Sequence, residues 1–139
     1  MAYKEKQLMA DTFLLDLVTP ERTLFSGSVQ ELVAPGVLGE FGVLPGHANM
    51  LAELTAGPLV YRDESGEKRM AAAGGFAEVT GDRVTVLLDD AAYAEDLDPA
   101  ALGKEIEDLE AQALQPDDEG YADWQDQLRW KRSCSEIAE

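Results

Sequence analysis

Glycine and β-branched residues crowd into the first two-thirds of this chain and almost vanish from the rest. Residues 1–89 hold ten of the twelve glycines and fifteen valines or threonines, whereas residues 90–139 hold two glycines and two β-branched residues, Ile106 and Ile137. A branched Cβ is stiff at χ1 and suits a pleated sheet, and glycine supplies the backbone angles of tight turns. The division predicts an all-β part followed by a helical part. Charge divides at the same place, with 7 basic against 13 acidic side chains before it and 4 against 15 after it. No internal repeat or low-complexity segment interrupts either part.

The β part reads strand by strand. TFLLDLVTP is a strand closed by Pro20, which cannot donate to a ladder. SVQELVAPG is a second, stopped by Pro35-Gly36. LVYRDESGEKRMAAAGG reads as a hairpin around Glu64-Ser65-Gly66, and FAEVTGDRVTVLLDD as another around Thr80-Gly81-Asp82. Val84, Val86 and Leu88 alternate with Thr85 and Leu87, so that last strand is expected to be covered on both faces. Short strands with turn signals about every ten residues predict a sandwich or barrel with antiparallel pairing.

Asp98-Pro99 is a helix start, with Asp as N-cap and Pro at the first helical position. Leu102, Ile106, Leu109 and Ala113 then mark one helix face, and Gln115-Pro116 is the expected end. Tyr121, Trp124 and Leu128 begin the stripe of a second helix, which predicts an antiparallel helical hairpin. Trp130, Cys134 and Ile137 form another stripe nearly opposite the first. It is available either to the β part or to a partner protein.

Overall balance excludes some functions. With 28 acidic and 11 basic residues the net charge is −17, which disfavours nucleic acids and anionic lipid surfaces, both polyanions. No stretch approaches the roughly 18 apolar residues of a membrane helix, so direct lipid insertion is not expected. The start, MAYKEKQLMADTF, is charged where a secretion signal needs an apolar centre, and the reading is a soluble intracellular chain. The single Cys134 leaves no internal disulfide and no cysteine-rich metal site.

One stretch concentrates unusual residues. GEFGVLPGHANML, residues 39–51, holds Gly39, Gly42, Pro45 and Gly46 with Glu40 and the only histidine, His47. Glycine and proline there read as a structural loop that projects Glu40 and His47. Those two also suit an acid/base pair, so a small enzyme and a ligand- or protein-binding β-sandwich module are both open readings. No nucleophile motif, metal-ligand cluster or phosphate-binding loop accompanies them: Gly103-Lys104 lacks the upstream glycine and the following Ser or Thr.

VTPERTLFSG (18–27), GEFGVLPGHANML (39–51), GGFAEVTGDRVTVLLDDA (74–91), then Asp96-Leu97-Asp98 and a helical hairpin together resemble the epsilon subunit of the rotary F-type ATP synthase, bacterial type. The resemblance implies an α+β fold with an antiparallel β-sandwich of about ten strands over residues 12–90. A C-terminal α-helical hairpin over 91–139 would follow it, and residues 1–11 would be an N-terminal extension. It also implies a non-catalytic central-stalk subunit without a cofactor, which couples proton translocation to ATP synthesis. Its partners would be the gamma subunit, the c-subunit ring and the catalytic alpha/beta hexamer, at the cytoplasmic face of the inner (plasma) membrane. Glu40 and His47 match the pair that faces the c ring in the family. Arg129, Lys131 and Arg132 are the candidates for an inhibitory contact with the hexamer.

The chain departs from the family twice: its second helix is shorter than in relatives that use it to block rotation, and one motif position differs. The ATP-binding motif Ile/Leu-Asp-x-x-Arg-Ala reads Leu97-Asp98-Pro99-Ala100-Ala101-Leu102 here, and Ala101 replaces the expected phosphate-binding Arg. Loss of that guanidinium removes a bidentate phosphate partner, so no regulatory ATP site is expected.

Overall fold

A computed structural model describes residues 11–138. The expected N-terminal extension therefore lies outside the described residues apart from Asp11, an exposed turn residue. Ten strands follow: β1 (Phe13–Val18), β2 (Thr23–Val29), β3 (Glu31–Gly36), β4 (Gly39–Val43), β5 (Met50–Leu54), β6 (Gly57–Asp63), β7 (Gly66–Ala72), β8 (Gly75–Thr80), β9 (Arg83–Leu88) and β10 (Ala91–Tyr93). A short 3-10 turn, Ala94–Asp96, leads to helices α1 (Pro99–Gln112) and α2 (Tyr121–Ala138).

The strands form one curled sheet in the order β10-β7-β6-β3-β5-β8-β9-β1-β2, with β4 also on β3. Between β3 and β5 the register is a single pair, Gly36↔Leu54, and there the sheet folds over into two layers. Alternation fills the space between them. Leu15 and Leu17 of β1, Leu32 of β3, Leu59 of β6, Met70 of β7 and Val86 of β9 are all fully buried. Phe25 of β2 meets Tyr61 of β6 with ring centroids 4.5 Å apart.

Both expected hairpins form. Asp63 Oδ1 accepts from the Ser65 amide at 2.8 Å and from its hydroxyl at 2.6 Å, an Asx turn that sets the β6–β7 register. Gly81, at φ +60°, turns β8 into β9.

Four expectations need correcting. SVQELVAPG is not one strand: it breaks at Gln30, whose amide donates to the Arg62 carbonyl, and its halves belong to β2 and β3. Pairing is not wholly antiparallel, because β1 runs parallel to β9 from Leu14↔Arg83 to Val18↔Leu87. β9 is covered on one face only; Leu87 is 55% exposed while Val86 and Leu88 are buried. Finally β10, paired with β7, falls within the stretch expected to be helical.

The helical part begins as expected, with Asp98 Oδ1 accepting from the Ala100 and Ala101 amides at 3.0 and 3.4 Å. α1 ends earlier than expected: Ala113 turns left-handed at φ 47°, so the chain leaves the helix before Pro116. The hairpin is antiparallel, and Trp124 Nε1 donates to the Leu109 carbonyl at 2.7 Å. The second stripe of α2 is not a free face. Cys134 and Ile137 are buried with Ala71 of β7 and Leu102 of α1, and Trp130 packs beside them. The hairpin thus lies folded down on the sandwich, with α2 against β6 and β7 and α1 outside it.

Candidate functional site

The stretch 39–51 is less of a loop than its glycines suggest. Gly39, Glu40 and Gly42 lie in β4, with Glu40 opposite Pro35 and exposed. Only residues 44–49 turn. There the His47 amide donates to the Leu44 carbonyl at 3.1 Å, with Pro45 and Gly46 (φ +83°) as the central residues. Proline fixes the first central angle and only glycine adopts the second without strain, so the turn is rigid. His47 Nδ1 donates to the Ala48 carbonyl at 2.6 Å, which leaves Nε2 as the acceptor atom available to a partner. No hydrogen bond or ion pair joins Glu40 to His47 among the described residues. The acid/base pair that an enzyme would need is not assembled. Nor does any group of three potential metal ligands converge among the described residues.

Apolar residues off the buried register form a second feature. On the outer face of the layer β5-β8-β9-β1-β2, Phe76 stands opposite Leu87, and Leu87 opposite Val18. Leu51, opposite Glu78 and two pairs along from Phe76, is 69% exposed, and Phe76 and Leu87 are each more than half exposed. A depression of about 260 Å³ lies between Val18, Pro20, Phe76 and Leu87. Beside this row Asp16 accepts from Ser26 Oγ at 2.6 Å and from Arg83 Nη1 at 3.0 Å. Around the sheet's end, Val37 and fully exposed Leu38 flank a depression of about 610 Å³ next to Glu40. An apolar area of this kind, rimmed by polar groups, marks a contact surface. Sequence reasoning missed it, though the signal was there: Phe76 and Leu87 each sit one residue out of phase with a buried neighbour.

The three cations of α2 are all engaged. Arg129 pairs with Asp126 of its own helix at 3.3 Å, Lys131 with Glu105 at 2.8 Å and Arg132 with Glu110 at 3.5 Å. Ala101 is exposed on the first turn of α1, and its methyl group offers no hydrogen-bond donor. Among the described residues, no helix is long and apolar enough to cross a membrane.

Fold and surface together define a β-sandwich with a docked helical hairpin and an exposed apolar contact face. Residues 12–94 match the family described as the ATP synthase delta/epsilon chain β-sandwich domain. The chain is 43% identical over 117 residues to the ATP synthase epsilon chain of Geotalea uraniireducens, with 81% of this chain and 83% of that one covered. It is 41% identical over 129 residues to the epsilon chain of Chromohalobacter salexigens, covering 92% and 86%. The chain belongs to the ATP synthase epsilon chain family. A chain of the Euglena gracilis mitochondrial ATP synthase shares the fold with TM-score 0.82 at 23% identity, covering 93% of this chain and 82% of that one. A chain of the Tetrahymena thermophila central stalk and c-ring assembly does so at 0.58 and 13%, covering 91% and 96%.

Proposed function

We propose that this chain is a non-catalytic rotor subunit of the ATP synthase, seated in the central stalk between the gamma subunit and the c ring. In that place it couples ion translocation to ATP synthesis. The observation that carries the reading is the sequence identity with epsilon chains, which extends over both the sandwich and the start of the hairpin. The outer face with Leu51, Phe76 and Leu87 suits gamma, since it is an apolar area that the folded chain leaves uncovered. Glu40 and His47 lie toward the end of the sandwich and contact the c-ring polar loops, with Glu40 supplying a charge-assisted acceptor. The complex holds the chain peripherally at the cytoplasmic face of the membrane.

The folded hairpin restrains ATP hydrolysis when it opens toward the catalytic hexamer. Arg129, Lys131 and Arg132 are its contacts, and bound ATP plays no part because Ala101 cannot hold phosphate. Co-purification tests the stalk reading: Phe76→Asp with Leu87→Asp should abolish capture of gamma while the isolated chain stays folded. Full gamma binding by that variant would remove the outer face from the account. Cysteines placed singly at Glu40 and His47 should crosslink to a cysteine in the c-subunit polar loop. Failure of both in a normally assembled enzyme would leave residues 39–51 as structure only.

A further inference from the structure

The three basic residues assigned to the inhibitory contact are held in two different ways. Arg129 is paired inside its own helix, with Asp126 three residues earlier. Lys131 and Arg132 are instead paired across the hairpin, with Glu105 and Glu110 of α1. Separation of the helices breaks the second kind and leaves the first intact. Formal charge divides between the helices in the same sense: α1 carries four acidic residues and one basic, whereas α2 carries three of each.

We propose that Glu105 and Glu110 form an internal decoy that occupies Lys131 and Arg132 while the hairpin is closed. The inference rests on the reading that the opened hairpin restrains hydrolysis. An acidic surface on a partner competes with the two glutamates for the same two cations. Closure and inhibition therefore draw on one set of charges and exclude each other. Both cross-helix pairs are partly exposed, with side chains 35–55% accessible, so each contributes only a small bias to closure. Two together shift the open-to-closed ratio by roughly two- to tenfold, enough to tune an equilibrium without locking it. The bias weakens as salt screens the pairs. Arg129 stands outside the device, since Asp126 travels with it.

The test uses the full chain carrying Glu105→Gln and Glu110→Gln, two solvent-facing changes. In the isolated subunit, amide hydrogen exchange in α1 should accelerate by roughly two- to tenfold at low salt, and the difference from wild type should shrink at high salt. In the assembled enzyme the same variant should hydrolyse ATP more slowly than wild type, because its cations are released. Swapping the charges, Glu105→Lys with Lys131→Glu, should restore slow exchange yet weaken inhibition. Unchanged exchange in the double Gln variant would overturn the decoy. So would faster exchange with no loss of hydrolysis, in an enzyme whose hydrolysis rises when residues 97–139 are removed. If that removal itself changes nothing, the restraint reading fails, and hydrogen exchange alone still decides whether the pairs hold the hairpin shut.

Discussion

In the sandwich Leu15, Leu17, Leu32, Leu59 and Met70 have no solvent exposure, whereas the hairpin's best-buried residues, Cys134, Ile137, Leu102 and Leu128, keep 2–6% each. Ile106, Leu109 and Trp124 are buried only in part. The sandwich core joins both sheet layers, and losing any member disturbs strands distant in sequence. The hairpin is attached by one short stripe of α2, and α1 touches the sandwich cluster chiefly through Leu102. Each buried apolar side chain contributes roughly 1.5–3 kcal/mol, against about 1–2 kcal/mol of ordering cost per residue. On the proposed function, a platform that transmits torque and an arm that opens need these opposite balances.

The largest effects should come from the sandwich. Leu17→Ala leaves a cavity in a fully closed core and should cost about 2–5 kcal/mol, read as a lower urea midpoint for the whole sandwich. Gly75→Ala should be of similar severity. Gly75 sits at φ +144°, and an added Cβ would overlap the Leu87 carbonyl oxygen across the β8–β9 pair. Leu128→Ala should behave differently, speeding hydrogen exchange in both helices while the sandwich midpoint stays put. Equal loss in the two regions would break the comparison, because it would make the hairpin part of one cooperative unit.

Smaller changes sharpen it. Trp124→Phe removes the 2.7 Å bond to the Leu109 carbonyl and should loosen the hairpin by about 0.5–1.5 kcal/mol, seen again by exchange. Cys134 offers a pH handle. Burial pushes its thiol from 9.0 up to about 11, so the folded chain keeps a proton that the opened one loses. Hairpin stability from this group is complete below pH 9 and is lost as pH rises toward 11. Thiol modification at mildly alkaline pH should be slow in the closed state, and its rate should report opening. The smallest expected signal is a null one in calorimetry: ATP added to the isolated subunit should release no heat of micromolar binding. Such heat would assign a phosphate contact to Arg129 or Arg132.

What could be read in the sequence is what local chemistry decides. Asp98-Pro99 announces a helix start because the cap and the first turn are built from those two residues and the next few amides. Asp63 to Gly66 announces a hairpin for the same reason. Partner choice in the sheet is not local, and nothing in the alternation of FLLDLV says that its second neighbour is the distant β9, or that the pair is parallel. The break at Gln30 depends on Arg62, thirty-two residues away. At the candidate site the residue types were legible and their relation was not. Glu40 and His47 lie close in sequence, yet one belongs to a strand and the other to the turn beyond it. The outer apolar face escaped because Leu87 was expected to be covered by a second layer, whereas that face of β9 is left to solvent. Burial, rather than hydropathy, separates Leu87 from Val86 and Leu88.

The division of labour between platform and arm is tested most directly by the ATP hydrolysis rate of an enzyme assembled with the chain shortened to residues 1–96. That length keeps β10 and its Tyr93 hydroxyl bond to Tyr61, 2.9 Å long, and removes α1 and α2 entirely. If the sandwich docks alone and the hairpin only restrains, the shortened chain should assemble with gamma and hydrolysis should rise above the full-length level. Lost assembly, or assembly with an unchanged rate, would contradict the account.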